Sequence, residues 1–260
     1  MKTLPLVWHA RFFKPIVRKW VGFHAQPLQP ACVFLPVISH TRPTMMECDF
    51  NLHKSNSTYF TDLDISRCEL SLRLFGDKLN FSAGPHQLLM MLGGVQCSFR
   101  REIKPYMPYE VWTRILSWDD KWLYIVSHFV EKGRFTMENY RLHGKPTTFA
   151  PERTVSLECS NSPAELKQAV FATAISQFVF KNGRVTIPPA KALRGCGLLY
   201  NDGLLGSAHD DGKLEHVKWI EKRRQEWLPI AQMRQGWEAA HYLFNSTTKL
   251  SLGMYSDAMW

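Results

Sequence analysis

The densest run of chemically capable side chains lies between residues 49 and 59, where Asp49, Asn51, His53, Asn56 and Tyr59 follow one another closely. A carboxylate such as Asp49 suits a general base that activates water, or a nucleophile that attacks directly. Side chains at alternate positions of an extended segment share one side, so Asp49, Asn51 and His53 are expected to point together. His53 would then orient the carboxylate or the water. Ser55-Asn56-Ser57 is a cluster of capping residues, and a helix starting there offers N–H groups and a dipole to a developing oxyanion. Tyr59, one turn further on, is placed to line a pocket or donate to substrate. Together these groups suit attack on an activated carbonyl. Each also has a plainer reading: Asn56 as a helix cap, a lone His as a structural group, Tyr59 as core.

The run Asp49-Phe50-Asn51-Leu52-His53-Lys54-Ser55-Asn56-Ser57-Thr58-Tyr59 resembles the Asp-x-Asn-x-His-x-x-Asn-x-x-Tyr signature of the thioesterase-like branch of the hotdog superfamily. Asp64 and Arg67 are similar to the Asp-x-Ala-Arg habit of the same helix, with Ile65-Ser66 between them. Lys54-Ser55 departs from the usual Met/Val-Asn. The similarity runs from residue 45 to residue 190, weakly through the later strands and the Asn182-Gly183-Arg184 hairpin. The whole chain looks most like fungal THEM6-like proteins, some of which sit in polyketide-type gene clusters.

The resemblance implies an α+β hotdog fold, a long antiparallel sheet wrapped round one central helix, usually paired as a homodimer. It implies hydrolysis of an acyl thioester carried on coenzyme A or an acyl carrier protein, with an acyl or polyketide-like chain. Asp49, Asn51 and His53 take the catalytic roles and Asn56 and Tyr59 the substrate-binding ones. No metal or redox cofactor is implied. The same pocket suits two alternatives: cyclisation, dehydration or isomerisation of a polyketide-like substrate, and acyl binding without catalysis.

The elements that must position these residues are legible in outline. Phe60, Leu63, Arg67, Leu70 and Leu74 recur every three or four positions, with Gly76 beyond them, which predicts a helix of about five turns starting near Asn56. Met45–Phe50 reads as a short extended segment before it. Leu88–Ile103 reads as a strand with a bulge at Gly93-Gly94. Tyr109–Trp118 alternates, with Val111, Thr113, Ile115 and Ser117 on one side; Asp119-Asp120-Lys121 turns the chain into Trp122–Val130. Gln168–Phe180 is a further strand, Asn182-Gly183 a hairpin turn, and Arg184–Ile187 its return before Pro188-Pro189. Leu214–Trp227 is helical, and Pro229 kinks it or separates it from a further helix over Ile230–Leu243. The expected division is an N-terminal extension over 1–44, a hotdog domain over 45–195 and C-terminal loop and helices over 196–260.

Composition bounds the alternatives. The chain has 260 residues, is 45% hydrophobic and 21% charged, and so suits an ordinary folded protein. Of its formal net charge of +9, residues 1–44 hold Lys2, Arg11, Lys14, Arg18, Lys19 and Arg42 and no acid. With Leu4, Leu6, Val7, Trp8, Phe12, Phe13, Ile16, Val17 and Trp20 among them, this arm reads as packed on the domain by Trp8, Phe12, Phe13 and Trp20. Its alternative is a basic amphipathic segment at a membrane surface. Trp219, Lys222, Arg223, Arg224 and Trp227 interleave with Glu215, Glu221 and Glu226, which favours a solvated helix face over a nucleic-acid site. The six cysteines include no Cys-x-x-Cys pair, so a reduced, cytoplasmic protein is expected. His209-Asp210-Asp211 lacks a second ligand cluster, and no metal is assigned.

Overall fold

The computed structural model describes residues 4–21, 28, 30–76, 78–79, 88–135, 168–200 and 211–233. The elements are α1 (Val7–Trp20), β1 (Val37–Thr41), α2 (Asn56–Phe75), β2 (Leu89–Phe99), β3 (Tyr109–Trp118), β4 (Leu123–Glu131), β5 (Val170–Asn182), β6 (Val185–Ile187), α3 (Pro189–Gly195) and α4 (Asp211–Gln232). Five strands form an antiparallel sheet in the order β1-β3-β4-β5-β2, and β6 folds back on the end of β5. The arrangement is the expected α+β hotdog, with α2 lying across one face of the sheet.

Helix α2 is apolar enough on one side to bury there. Tyr59, Leu63, Leu70, Leu74 and Phe75 are buried, so its inner face follows Tyr59, and Phe60 is only half-buried. The N-terminal half packs with Ile103, Tyr109, Val111, Phe129 and Phe171. The C-terminal half packs with Phe34, Ile115, Trp118, Leu123, Phe178 and Phe180. A polar seam crosses the sheet between these two apolar zones. Ser66 Oγ is 2.7 Å from Thr113 Oγ1, which is 2.8 Å from Ser127 Oγ, and Arg67 Nη1 donates to Ser176 Oγ at 2.8 Å. Burying hydroxyls without partners would be costly, so these bonds fix how α2 sits over β3, β4 and β5.

Several local expectations hold. The Tyr109–Trp118 strand and its hairpin partner are present, with Asp119 Oδ1 accepting from the Lys121 and Trp122 N–H groups at 2.8 and 2.6 Å. Gly183 closes the β5–β6 hairpin at φ 58°, where a residue without Cβ meets no steric cost. The β2–β5 register slips between Leu92 and Gly94, the expected bulge. There the ring of Trp122 comes to 2.2 Å from where a Gly93 Cβ would stand.

Others are corrected. The β3 alternation holds through Ile115, but a bulge between Ile115 and Ser117 turns Ser117 to the opposite face, where its hydroxyl donates to Arg224 O at 2.7 Å. Met45–Phe50 is not extended: Met45–Glu47 is a turn of 3-10 helix closed by the reciprocal Thr44 and Glu47 pairing. The short strand lies earlier, at β1, inside the segment expected to be an extension. Pro188-Pro189 ends the hairpin and also opens α3, because proline costs nothing at a first helical position. α4 continues through Pro229 to Gln232 and lies on β3, with Trp219 and Trp227 against Phe34. The helix proposed over 230–243, most of 133–163 and His209-Asp210 lie largely or wholly outside the described residues.

The arm packs differently from expectation. Within α1 Ile16 is buried, and Phe12 and Trp8 stack together half-buried, while Val33 and Phe34 further along the arm join the core. Phe13 is 51% exposed. Arg11 is not left in solvent: its guanidinium reaches Asp62 of α2 at 2.7 Å. Nothing is described for the side chain of Trp20.

Candidate active site

The motif residues sit where β1 and the 3-10 turn lead into α2. The chain folds back on itself over 49–53. Asp49 N–H donates to His53 O at 2.8 Å and Leu52 N–H donates to Asp49 O at 3.0 Å, with Leu52 at φ 59°. The Asp49 carboxylate closes this turn from inside, its Oδ1 accepting from the Asn51 N–H at 2.9 Å and the His53 N–H at 3.3 Å. The expected extended run is therefore a turn, because an aspartate that caps its own backbone competes with the strand. Asp49 and His53 remain neighbours, both half-buried. Asn51 contributes its backbone N–H to the turn while its side chain is in an exposed position.

His53 Nε2 lies 3.0 Å from Glu102 Oε2, on the segment after β2. A carboxylate on one ring nitrogen fixes the ring and selects the tautomer. Asn56 is the first residue of α2 and is exposed, one position past the N-cap residue, Ser55. The Ser55 side chain makes no capping bond to this helix; its hydroxyl lies 3.1 Å from that of Ser57 instead. The helix begins two residues after the Asp49 turn and turns the positive end of its dipole there, with Thr58 N–H already donating to Ser55 O at 2.9 Å and Asn56 and Ser57 as its first residues. Tyr59 points elsewhere. It is 2% exposed, edge-on to Phe99 and Phe129 with ring centroids 5.0 and 4.8 Å away, and burial pushes its hydroxyl well above the usual tyrosine range. It is a neutral core residue.

Sequence reasoning missed the charged cluster beneath the turn. Lys54 is fully buried, its Nζ 2.9 Å from Asp62 Oδ2, 3.8 Å from Glu47 Oε1 and 3.2 Å from Thr58 O. Tyr109 Oη donates to the same Asp62 oxygen, and Arg11 takes the other. Burial and the Asp62 carboxylate both hold Tyr109 in its protonated form. Lys54 N–H and Ser55 N–H donate to Ile103 O and Glu47 O, each at 2.8 Å, so the residues on either side of the turn are pinned. Lys54 stood out in the sequence only as a departure from the motif. No spacing rule links Arg11, Asp62 and Tyr109.

A second feature lies further along α2. Phe12, Arg67, Cys68, Met90, Leu92 and Phe178 are among the residues lining a cleft of about 180 Å³, between α1, α2 and the β2 edge. The Arg67 guanidinium is buried there against Asp64, 5.7 Å from the Phe178 ring centre. Burial lowers its pKa and Asp64 opposes that shift. Among the described residues no group of His, Cys, Asp and Glu is arranged to hold a metal ion.

Residues 43–188, more than half of the chain, match the family model of the thioesterase-like superfamily. The chain belongs to the thioesterase-like superfamily. It is a thioesterase-like hydrolase of hotdog fold, as the 49–67 motif implied. Its similarity to thioesterase poxG of Penicillium oxalicum is 37% identity over 249 residues, 89% of this chain and 78% of that one. With the probable thioesterase atnL of Emericella nidulans it shares 31% over 283 aligned positions, 98% of this chain and 88% of that one. Protein THEM6 of Danio rerio is 30% identical over 95 residues, 36% of this chain and 46% of that protein. The fungal relatives thus match over far more of the chain than the THEM6 relative does.

Proposed function

We propose that the Asp49 turn and the start of α2 form the reaction centre at which this thioesterase-like protein hydrolyses its acyl thioester. The observation that carries the reading is the half-buried Asp49 carboxylate held in a turn that leads directly into a helix whose N-cap residue, Ser55, makes no side-chain capping bond. Asp49 takes a proton from water as its oxygen attacks the thioester carbonyl. The carbonyl oxygen becomes an oxyanion against the first N–H groups of α2 near Asn56. The C–S bond then breaks, the carboxylic acid forms and the thiolate leaves and takes up a proton. His53, held by Glu102, orients the water. Asn51 acts through its backbone, and Tyr59 supports the site from the core.

The apolar cleft along α2 suits the acyl or polyketide-like chain. It lies beside Asp64 to Ser71, about 12 Å along the helix from Asn56 at 1.5 Å per residue. The thiol partner is coenzyme A or a carrier protein's phosphopantetheine arm, and the fungal thioesterase relatives support a place in secondary metabolism. The protein works in the cytoplasm as a homodimer. β2 is a sheet edge that exposes Met91 and Leu92, and an edge of this kind is stabilised by pairing with a second copy. Peripheral contact of α1 with a membrane is compatible with this reading and independent of it.

The deciding assay incubates the protein with acyl-coenzyme A substrates and follows free thiol with Ellman's reagent. Thiol release dependent on Asp49 supports the proposal. An isomeric or cyclised product without thiol points to the alternative chemistry, and ligand binding without turnover to an acyl-binding protein. Light scattering at twice 30.1 kDa supports the dimer, and a constant 30.1 kDa across a wide concentration range overturns it.

A further inference from the structure

Helix α1 presents two unlike faces. One is tied to the domain: Arg11 pairs with Asp62, Ile16 is buried and the Phe12 carbonyl lies 3.7 Å from Cys68 Sγ on α2. The other carries Ala10, Phe13 and Val17 at helical spacings of three and four, all exposed. Leu6 and Val21 extend this stripe just beyond the two helix ends and are each 73% exposed. Phe13 and Val17 are themselves 51% and 53% exposed. Single exposed apolar residues are ordinary, but a continuous row along a helix marks a contact surface.

The charges beside the row select its occupant. Over residues 4–21 every ionisable side chain is basic or a histidine: His9, Arg11, Lys14, Arg18 and Lys19. Lys14 is exposed and lies one position beyond Phe13 along the same helix. An apolar row with cationic neighbours and no acid matches the boundary of a bilayer whose headgroups are anionic. The two faces also connect. Phe12, adjacent to Phe13 with ring centroids 5.8 Å apart, lines the apolar cleft between α1 and α2.

We propose that the outer face of α1 docks this protein on an anionic lipid surface, with Phe13 and Val17 entering the headgroup boundary and Lys14 meeting lipid phosphates. Docking in this way brings α1, whose Phe12 lines the cleft, to the bilayer, where long acyl chains partition. This last step rests on the hydrolase reading given above; the docking itself does not.

The test uses the full chain with sedimented vesicles of phosphatidylcholine, with and without phosphatidylserine. Binding is expected to favour the anionic vesicles and to weaken as salt is raised. Phe13→Ser with Val17→Ser is expected to lower partition at least about tenfold. Lys14→Gln is expected to lower it about fivefold. These residues are exposed, so melting temperatures and thiol release from a short, water-soluble acyl-coenzyme A are expected to stay as in the parent protein. Absence of binding to anionic vesicles, or equal binding by the Phe13/Val17 double variant, overturns the proposal. So does a change of oligomeric mass in that variant with vesicle binding intact, which assigns the row to a second copy. Vesicle binding by a protein that releases no thiol leaves docking standing and removes the hydrolase reading.

Discussion

Lys54 Nζ stands 2.9 Å from Asp62 Oδ2, with neither side chain more than 2% exposed. The lysine belongs to the end of the Asp49 turn and the aspartate to the second turn of α2, so this pair joins the reactive loop to the helix that supports it. Arg11 and Tyr109 bring α1 and β3 to the same carboxylate. Taking charges out of water is costly, and the cost is offset only while every partner stays in place.

Removing one partner of this cluster should therefore be severe. Asp62→Ala leaves Lys54 with Glu47 Oε1 at 3.8 Å as its nearest acid. A loss of about 3–5 kcal/mol is expected. Urea midpoints for Asp62→Ala, Lys54→Met and the double variant measure the coupling. Purely additive effects would show that the two residues do not act as a pair.

Asp49→Asn separates chemistry from scaffold. The amide oxygen can still accept the N–H groups of Asn51 and His53, so the turn and the melting temperature should change little. Loss of the base should lower kcat by at least ~10². A folded Asp49→Asn protein with normal thiol release would take Asp49 out of the reaction.

Gly93 marks a close approach between β2 and the β3–β4 hairpin. In Gly93→Ala the added Cβ would meet the Trp122 ring at 2.2 Å, and the ring would have to move. The expected cost is about 1–3 kcal/mol, read from thermal or urea unfolding. Adding Trp122→Leu should recover part of that loss, and a failure to recover it would place the strain elsewhere.

The pH response has a named contributor. Burial, with help from Arg114, pushes the His128 pKa down to about 4 from an ordinary value near 6.5. Between these values the unfolded chain binds the proton more readily, so stability should fall as pH drops from 6.5 towards 4. His128→Gln should flatten the curve in that window when both proteins are compared by urea titration. Parallel curves would show that His128 is not depressed.

The residue sequence by itself determined the local pieces. Tyr109–Trp118, its Asp119 turn, the Asn182-Gly183 hairpin, the Gly93-Gly94 bulge and the span of α2 all follow from periodicity and turn chemistry acting over a few neighbours. The 49–67 motif identified the family because its spacing is local too. Where neighbouring signals compete, the sequence misleads: the Asp49 side chain bonds its own backbone and converts an expected extended run into a turn. Only the tertiary structure could place Tyr59 in the core, turn Ser117 at a bulge to the face that α4 covers and draw β1 from the arm into the sheet. It alone brought Arg11, Lys54 and Tyr109 onto the Asp62 carboxylate. Their meeting depends on helix and sheet packing across up to 98 positions of chain, and pairwise spacing carries no record of contacts made at that distance.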